Sequence, residues 1–300
     1  MFVANNWKEY RLVDANGGER LEKWGDYTLI RPDPQVIWNG ERNLSGWKKA
    51  DGIYRRSRSG GGEWVKKDVP EEWIISYGDL KFGISPMGFK HTGLFPEQAA
   101  NWDWFTKLIK NSDREIKLLN LFAYTGGASV AAAKAGAFVC HVDASKGIVA
   151  KAKRNAELSE IPQNKIRYIV DDCFKFVARE IRRGNKYDAV ILDPPSFGRG
   201  PGGEKWVIEE CLDELVNLVC QVLSDDPLFV LLNSYTTGLS PAANGYVLRK
   251  NTRHLGGTVD SQEIGLPVES SGEVLPCALQ VGGHRDNPQK CKHFRGPRSR

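Results

Sequence analysis

From residue 117 onward the chain alternates short, mostly apolar runs with helix-like stretches, and this alternation narrows its fold more than any other feature. Runs at 117–122, 138–143, 166–170, 187–192 and 228–233 have the character of strands buried on both faces. Between and after them, 128–135, 145–158, 173–183, 204–223 and 241–252 read as helices. Strand and helix in turn give an α/β fold with a mostly parallel sheet covered on both sides. A last pair of runs, 258–266 and 273–278, reads as an antiparallel hairpin that ends the sheet.

Upstream the grain is different. Between Trp7 and Leu80, short apolar or aromatic runs at 27–30, 35–38 and 73–77 are broken by Gly, Pro, Asn and Asp, the pattern of a small antiparallel β domain. The reading divides the chain into a β-rich domain at 1–88, an α/β domain at 89–280 and a basic, disordered tail at 281–300. The Arg/Ser/Gly-rich segment 55–62 reads as a mobile hairpin tip.

Composition excludes some classes. With 41% apolar residues over 300, the chain has the means to bury a core without covalent staples. Its six cysteines form no CxxC pair and no zinc-ligand spacing, so neither a disulfide framework nor a bound metal is expected, and a reducing, cytoplasmic setting fits. The first residues lack the pattern of a signal peptide, and no run approaches the roughly 18 apolar residues of a membrane span, so no membrane partner is expected. The net charge of +5 is modest but clustered, at Trp47-Lys48-Lys49, at Arg55-Arg56-Ser57-Arg58 leading to Trp64-Val65-Lys66-Lys67, and from Lys290 to the end. Basic residues interleaved with aromatic ones suit RNA, because cations neutralise phosphates and rings stack on bases; an ordinary solvated charge run is the plain alternative.

The ends of the strands carry groups that could hold a ligand. The first runs into Ala123-Tyr124-Thr125-Gly126-Gly127, a tight strand-to-helix turn where glycines admit a ligand close to the backbone. The second ends at Asp143, a carboxylate placed to grip a ribose diol; Ser145 is available to cap the next helix. The third ends in Asp171-Asp172, of which one can accept from an adenine amino group while the other caps a helix; Asp172 is the favoured adenine partner. The fourth ends in Asp193-Pro194-Pro195-Ser196-Phe197. Two prolines make a rigid turn that can present carbonyls and the Phe197 ring to a flat substrate, or can simply terminate a strand. All four groups fall on the carboxyl edge of one sheet, where open α/β folds bind ligands.

These residues carry a resemblance. Together with His91-Thr92-Gly93-Leu94-Phe95-Pro96-Glu97-Gln98, the stretches Asn120 to Gly127, Val142-Asp143-Ala144-Ser145, Asp171 to Phe174 and Asp193 to Phe197 resemble the Rossmann-like class I S-adenosylmethionine (SAM)-dependent methyltransferases, in the branch of bacterial 23S rRNA cytosine-C5 enzymes. The resemblance spans about two thirds of the chain and implies a seven-stranded sheet and a methyltransferase acting on RNA, ribosomal RNA first. It further implies that Thr92, Phe95 and Gln98 touch SAM, that Tyr124 and Gly126 line its methionine end, that Asp143, Ala144 and Ser145 meet the ribose and that Asp172 meets the adenine. Asp193 would lie near the sulfonium and the target, with Pro194, Pro195 and Phe197 forming the catalytic turn.

Three departures are visible. Ala99-Ala100-Asn101 follows Gln98 where the family usually has arginine. No cysteine stands in Leu232 to Thr237, where cytosine-C5 enzymes carry the thiol that attacks the ring, so the acceptor atom is left open; Cys277 can approach only from the terminal hairpin. The chain also runs on past Leu275-Pro276-Cys277, near which relatives end. Small-molecule or protein methylation, and a catalytically silent RNA-binding relative, are the competing functions. A nicotinamide-dependent oxidoreductase would need a G-x-G-x-x-G spacing that the turn lacks.

Overall fold

The computed structural model describes residues 1–57, 61–88, 90–199 and 205–284. A short strand β1 (Phe2–Val3) comes first, then β2 (Tyr10–Asn16), β3 (Glu19–Trp24), β4 (Tyr27–Pro32), the one-turn helix α1 (Gly46–Lys49), β5 (Gly52–Arg56) and β6 (Gly62–Lys67). The hairpin β7 (Trp73–Tyr77) and β8 (Leu80–Ile84) leads through a 3-10 turn at Pro96–Gln98 into α2 (Ala99–Lys110). The alternating part follows as β9 (Lys117–Leu121), α3 (Gly127–Lys134), β10 (Phe138–Asp143), α4 (Lys146–Leu158), β11 (Ile166–Val170), α5 (Cys173–Arg183) and β12 (Ala189–Leu192). It continues with β13 (Phe197–Arg199), β14 (Lys205–Val207), α6 (Ile208–Cys220), β15 (Phe229–Ser234), α7 (Pro241–Thr252), β16 (Thr258–Pro267) and β17 (Val274–His284).

Among the described residues, the large sheet has the order β1-β16-β17-β15-β12-β9-β10-β11. The seven expected strands are present, and β1 adds an eighth by pairing parallel to β16 (Phe2 with Ile264). Only β17 runs antiparallel to its neighbours β15 and β16. From β9 the chain first builds outward through β10 and β11, then returns to β12 on the other side of β9. That reversal opens a crevice at the carboxyl ends of β9 and β12.

The N-terminal sheet, β2-β3-β4-β5-β6, is antiparallel apart from β4 and β5, which pair parallel over Leu29–Ile30. The β7–β8 hairpin lies on α4, where the N–H of Gly83 donates to Asn155 Oδ1 at 2.9 Å. One apolar cluster runs from Tyr10, Trp24 and Leu29 through Ile75 and Phe82 to Phe105, Val130 and Ile191, so the small sheet and the large one share a core.

Four expectations are corrected. Residues 35–38 form no strand, because Pro34 and Gln35 make a turn in which Asp33 Oδ1 accepts the N–H of Gln35 at 2.8 Å. The helix expected from 204 starts at Ile208; Lys205–Val207, with its Trp and β-branched Val, pairs instead with Phe197–Arg199 as a small hairpin. The tail expected from 281 begins as strand: Val281 is fully buried and pairs with Leu232 and Ser261. Finally, the aromatic residues of the basic stretches face inward. Trp47 is buried, with Nε1 donating to Asp14 Oδ2 at 2.8 Å and Arg42 over its ring, and Trp64 Nε1 donates to Met87 O at 3.0 Å. Lys48, Lys49, Arg56 and Lys67 stay at the surface. The centre of the expected mobile tip, 58–60, and the tail from 285 lie outside the described residues.

Candidate cofactor and active site

The turn after β9 is built from left-handed backbone: φ is +55° at Phe122, +49° at Tyr124 and +82° at Gly126. Two bulky residues in that region mark a conformation held by its surroundings. Asp143 does much of the holding, since its Oδ2 accepts the N–H of Tyr124 at 3.0 Å and its Oδ1 that of Ser145 at 2.9 Å. The carboxylate is thus fixed across two strand ends while remaining partly open to solvent. Ser145 caps α4, accepting the N–H of Ile148, and both it and Ala144 are exposed. The absent side chain of Gly126 faces α4: a Cβ there would lie 2.9 Å from Ala152 Cβ, so this glycine serves helix packing rather than approach to a ligand. At Gly127 a Cβ would meet the Trp102 ring at 2.8 Å.

At the end of β11 the helix cap is Asp172, where Asp171 was the expected capping residue. Asp172 caps α5, its Oδ1 accepting the N–H of Lys175 at 2.9 Å, and Asp171 pairs with Arg179. At the end of β12, burial pushes the Asp193 carboxyl up to about 7, with the nearby Glu97 adding to the effect. Pro194 is buried and Pro195 exposed. The carbonyl of Pro195 accepts from Trp206 Nε1, and Ser196 Oγ hydrogen-bonds Thr236 Oγ1 at 2.6 Å. Phe197 is 54% exposed at the base of the β13–β14 hairpin and does not line the cleft.

The cleft itself is open to solvent on one side and is lined by the carboxyl ends of β9, β12 and β15 and by the segment before α2. Phe95, Gln98, Phe122, Tyr124 and Asp193 all line it. The Phe95 ring packs against Tyr124 and Tyr235, with centroids 5.4 and 5.2 Å away. Gln98 Nε2 donates to Tyr235 Oη at 2.8 Å, and Asn101 Nδ2 donates to Gln98 Oε1 at 2.8 Å and to Asn233 Oδ1 at 2.9 Å. Thr92 is fully buried away from the cleft lining; Gly93 O takes the hydroxyl of Thr125 at 2.5 Å, which pins the covering segment to the turn after β9. Beneath the cleft, Asn120 Nδ2 donates to Ser129 Oγ, which also contacts His141 Nδ1, both at 2.9 Å.

Residue reasoning missed Asn101, Asn120, Trp102 and Asn233. Asn120 and Asn233 carry a usable signal, a lone amide near the carboxyl end of an otherwise apolar strand. Asn101 and Trp102 sit on a helix whose pattern reads as plain core. Among the described residues, no cluster of three His, Cys, Asp or Glu side chains could hold a metal ion, and no helix is long and apolar enough to cross a membrane.

A mostly parallel sheet of this order, with a fixed carboxylate ending the strand beside β9 and a cleft at the reversal point, defines a Rossmann-like α/β protein of the methyltransferase type. A sequence profile described as S-adenosylmethionine-dependent methyltransferase matches residues 19–222. The chain belongs to that family. A crystal structure of a SAM-dependent methyltransferase from Agrobacterium tumefaciens is 35% identical, with a TM-score of 0.89 over 95% of this chain and 93% of the other. A putative methyltransferase crystallised with S-adenosylhomocysteine (SAH) shares the fold, with a TM-score of 0.75 at 20% identity over 93% of this chain and 76% of the other. A putative ribosomal RNA large subunit methyltransferase of Methanocaldococcus jannaschii is 41% identical over 42% of this chain, and ribosomal RNA large subunit methyltransferase I of Vibrio vulnificus is 33% identical over 62%. The chain spans only 32% and 45% of those two proteins.

The residues present suit the cofactor of this family, SAM. Asp193 and the amides of Gln98, Asn120 and Asn233 line the cleft together with the rings of Phe95, Phe122 and Tyr124, and the Asp143 carboxylate holds the backbone N–H of Tyr124. Two buried polar atoms in this region, Asn101 Oδ1 and Trp102 Nε1, have no hydrogen-bond partner among the described residues.

Proposed function

We propose that this protein transfers the methyl group of SAM to RNA, with large-subunit ribosomal RNA as the substrate. The observation that carries the reading is the cleft at the reversal point of the sheet, where the partly exposed Asp193 ends β12 among Phe95, Gln98, Phe122 and Tyr124, its carboxyl held up to about 7 by desolvation. A group of that pKa binds or releases a proton near neutrality, as chemistry at a base requires.

SAM brings the electrophilic methyl group, and the protein's task is to hold donor and acceptor in line and to exclude water. Asp143, fixed by two N–H groups, takes the ribose hydroxyls, with Ala144 and Ser145 beside it, and Asp172 stands at the adenine side. Tyr124, Phe95 and Gln98 enclose the methionine end, with Gly126 shaping the turn behind Tyr124, and Thr92 supports the covering segment from behind. Pro194 and Pro195 keep Asp193 in place and offer carbonyls to the acceptor, while the exposed Phe197 meets an unstacked base arriving from solvent. Lys48, Lys49, Arg56 and Lys67 on the N-terminal sheet supply contacts to phosphates. The names of the relatives support ribosomal RNA, and such a substrate implies a cytoplasmic protein.

Calorimetry with SAH on the wild type and Asp143→Ala, followed by transfer of labelled methyl from SAM to ribosomal RNA, tests the reading. Binding by the wild type that the substitution abolishes, with label appearing in the large-subunit RNA, is the expected result. Binding without label in RNA would point to a small-molecule or protein acceptor, and no binding by folded wild type would leave a silent relative.

A further inference from the structure

Three aromatic rings from separate parts of the chain meet beside the cleft. Trp206, on β14, lies with its ring centroid 5.9 Å from that of Phe122 and 5.6 Å from that of Phe174. Phe122 follows β9 and lines the cleft, and Phe174 stands two residues after Asp172, in the first turn of α5. All three rings are only partly buried. The Trp206 ring is also oriented, because Nε1 donates to the carbonyl of Pro195 in the turn that follows Asp193. The three rings pack against the apolar core beneath α5 and α6, yet the Trp206 ring keeps an open face and is held at a set angle by a directed hydrogen bond to the proline turn.

We infer that Trp206 is a specificity and positioning residue for the purine of the cofactor. Its ring, braced by Phe122 and Phe174, offers a flat apolar surface on the adenine side of the cleft, and the Nε1 bond to Pro195 sets the angle of that surface. The same bond makes the proline turn and the nucleoside end of the site move as one piece. The inference rests on the SAM-binding reading.

The test measures affinity for SAH and for 5′-deoxy-5′-methylthioadenosine, which keeps only the nucleoside end, on the wild type and on W206A, W206F and W206L, with thermal midpoints as the control for folding. A stacking surface predicts that W206A and W206L weaken both ligands by at least tenfold, on the scale of single base–aromatic contacts. W206F, which keeps a ring but loses the donor, should stay within about fivefold of wild type for both ligands. Equal affinities for W206L and W206F would mean that apolar bulk suffices, and wild-type affinity in W206A would mean that the ring meets no cofactor; either result overturns the inference. Absence of SAH binding by the wild type is a different result, which sinks the cofactor reading and this inference with it. Should W206A fail to fold, the contrast between W206L and W206F still decides.

Discussion

Arg31 donates from Nη1 to the backbone carbonyl of Lys90 at 2.9 Å, joining β4 of the N-terminal sheet to the segment that covers the cofactor cleft. The rest of its guanidinium forms a two-point pair with Glu22, at 2.6 and 2.8 Å, and Tyr10 Oη completes the group by donating to Glu22 Oε1 at 2.9 Å. Glu22 is fully buried, and Arg31 holds its carboxyl below the usual range against the opposing effect of burial.

Removing one partner of such a pair leaves a buried charge uncompensated, which costs about 3–5 kcal/mol. Arg31→Met is therefore expected to lower stability to urea by that order and to weaken SAH binding, because Lys90 loses its anchor. The double variant Glu22→Gln/Arg31→Met should recover part of the stability but not the binding. Recovery of both would show that the contact to Lys90 is irrelevant to the cleft.

His141 is fully buried, and burial pushes its imidazole down to about 4 from 6.5. Between those values the unfolded chain takes up a proton that the folded one refuses, so stability is complete above about pH 6.5 and falls as pH drops toward 4, by on the order of 3 kcal/mol in all. His91, also held down to about 4 by burial, adds to the same slope. Urea midpoints measured from pH 6.5 to 5.0 should decline in the wild type and decline less in His141→Gln; parallel curves would show that His141 is not the source.

For Asp193 the sign is opposite. A carboxyl raised from 3.8 to about 7 keeps a proton in the folded state that the unfolded chain has already released, so stability is lost as pH rises across that interval. Asp193→Asn should thus be more stable than the wild type at pH 8, by a few kcal/mol at most (about 1.4 per pKa unit), with the advantage fading by pH 4. The same variant should bind SAH more weakly at pH 8, where the wild-type carboxylate is available to the ligand's ammonium group. A variant without any stability advantage at pH 8 would contradict the burial of a charge at this position.

Gly126→Ala meets two obstacles, a left-handed φ of +82° and a Cβ placed 2.9 Å from Ala152 Cβ. Strain and crowding together should cost about 2–4 kcal/mol. Adding Ala152→Gly should return the crowding part, and a thermal midpoint that rises in the double variant would confirm the division.

The sheet was readable because its strands are nearly uninterrupted apolar runs with turns between them, and Asp143, the proposed ribose partner, was readable because it closes such a run. Residues 35–38 and 205–207 depart from the sequence reading for local reasons: a proline and an Asx turn break one apolar run, and three residues of strand stand ahead of the helix. The covering segment with Phe95 and Gln98 carries no periodic signal and was reached only through family resemblance. Trp206 meets Phe122 and Phe174 from distant parts of the chain, whereas Glu22 and Arg31 lie only nine residues apart, on the paired strands β3 and β4. Nothing in the residues themselves announces which will meet.

The pairing of β1 with β16 also bears on how this chain tolerates being cut. A fragment that starts at residue 89 loses the two residues that cover the outer edge of β16, together with the Tyr10, Trp24 and Leu29 portion of the shared core. It would carry a bare, ten-residue strand edge beside newly wetted apolar surface, the combination that templates sheet-to-sheet association. Such a fragment is expected to self-associate, so the two bodies behave as a single folding unit.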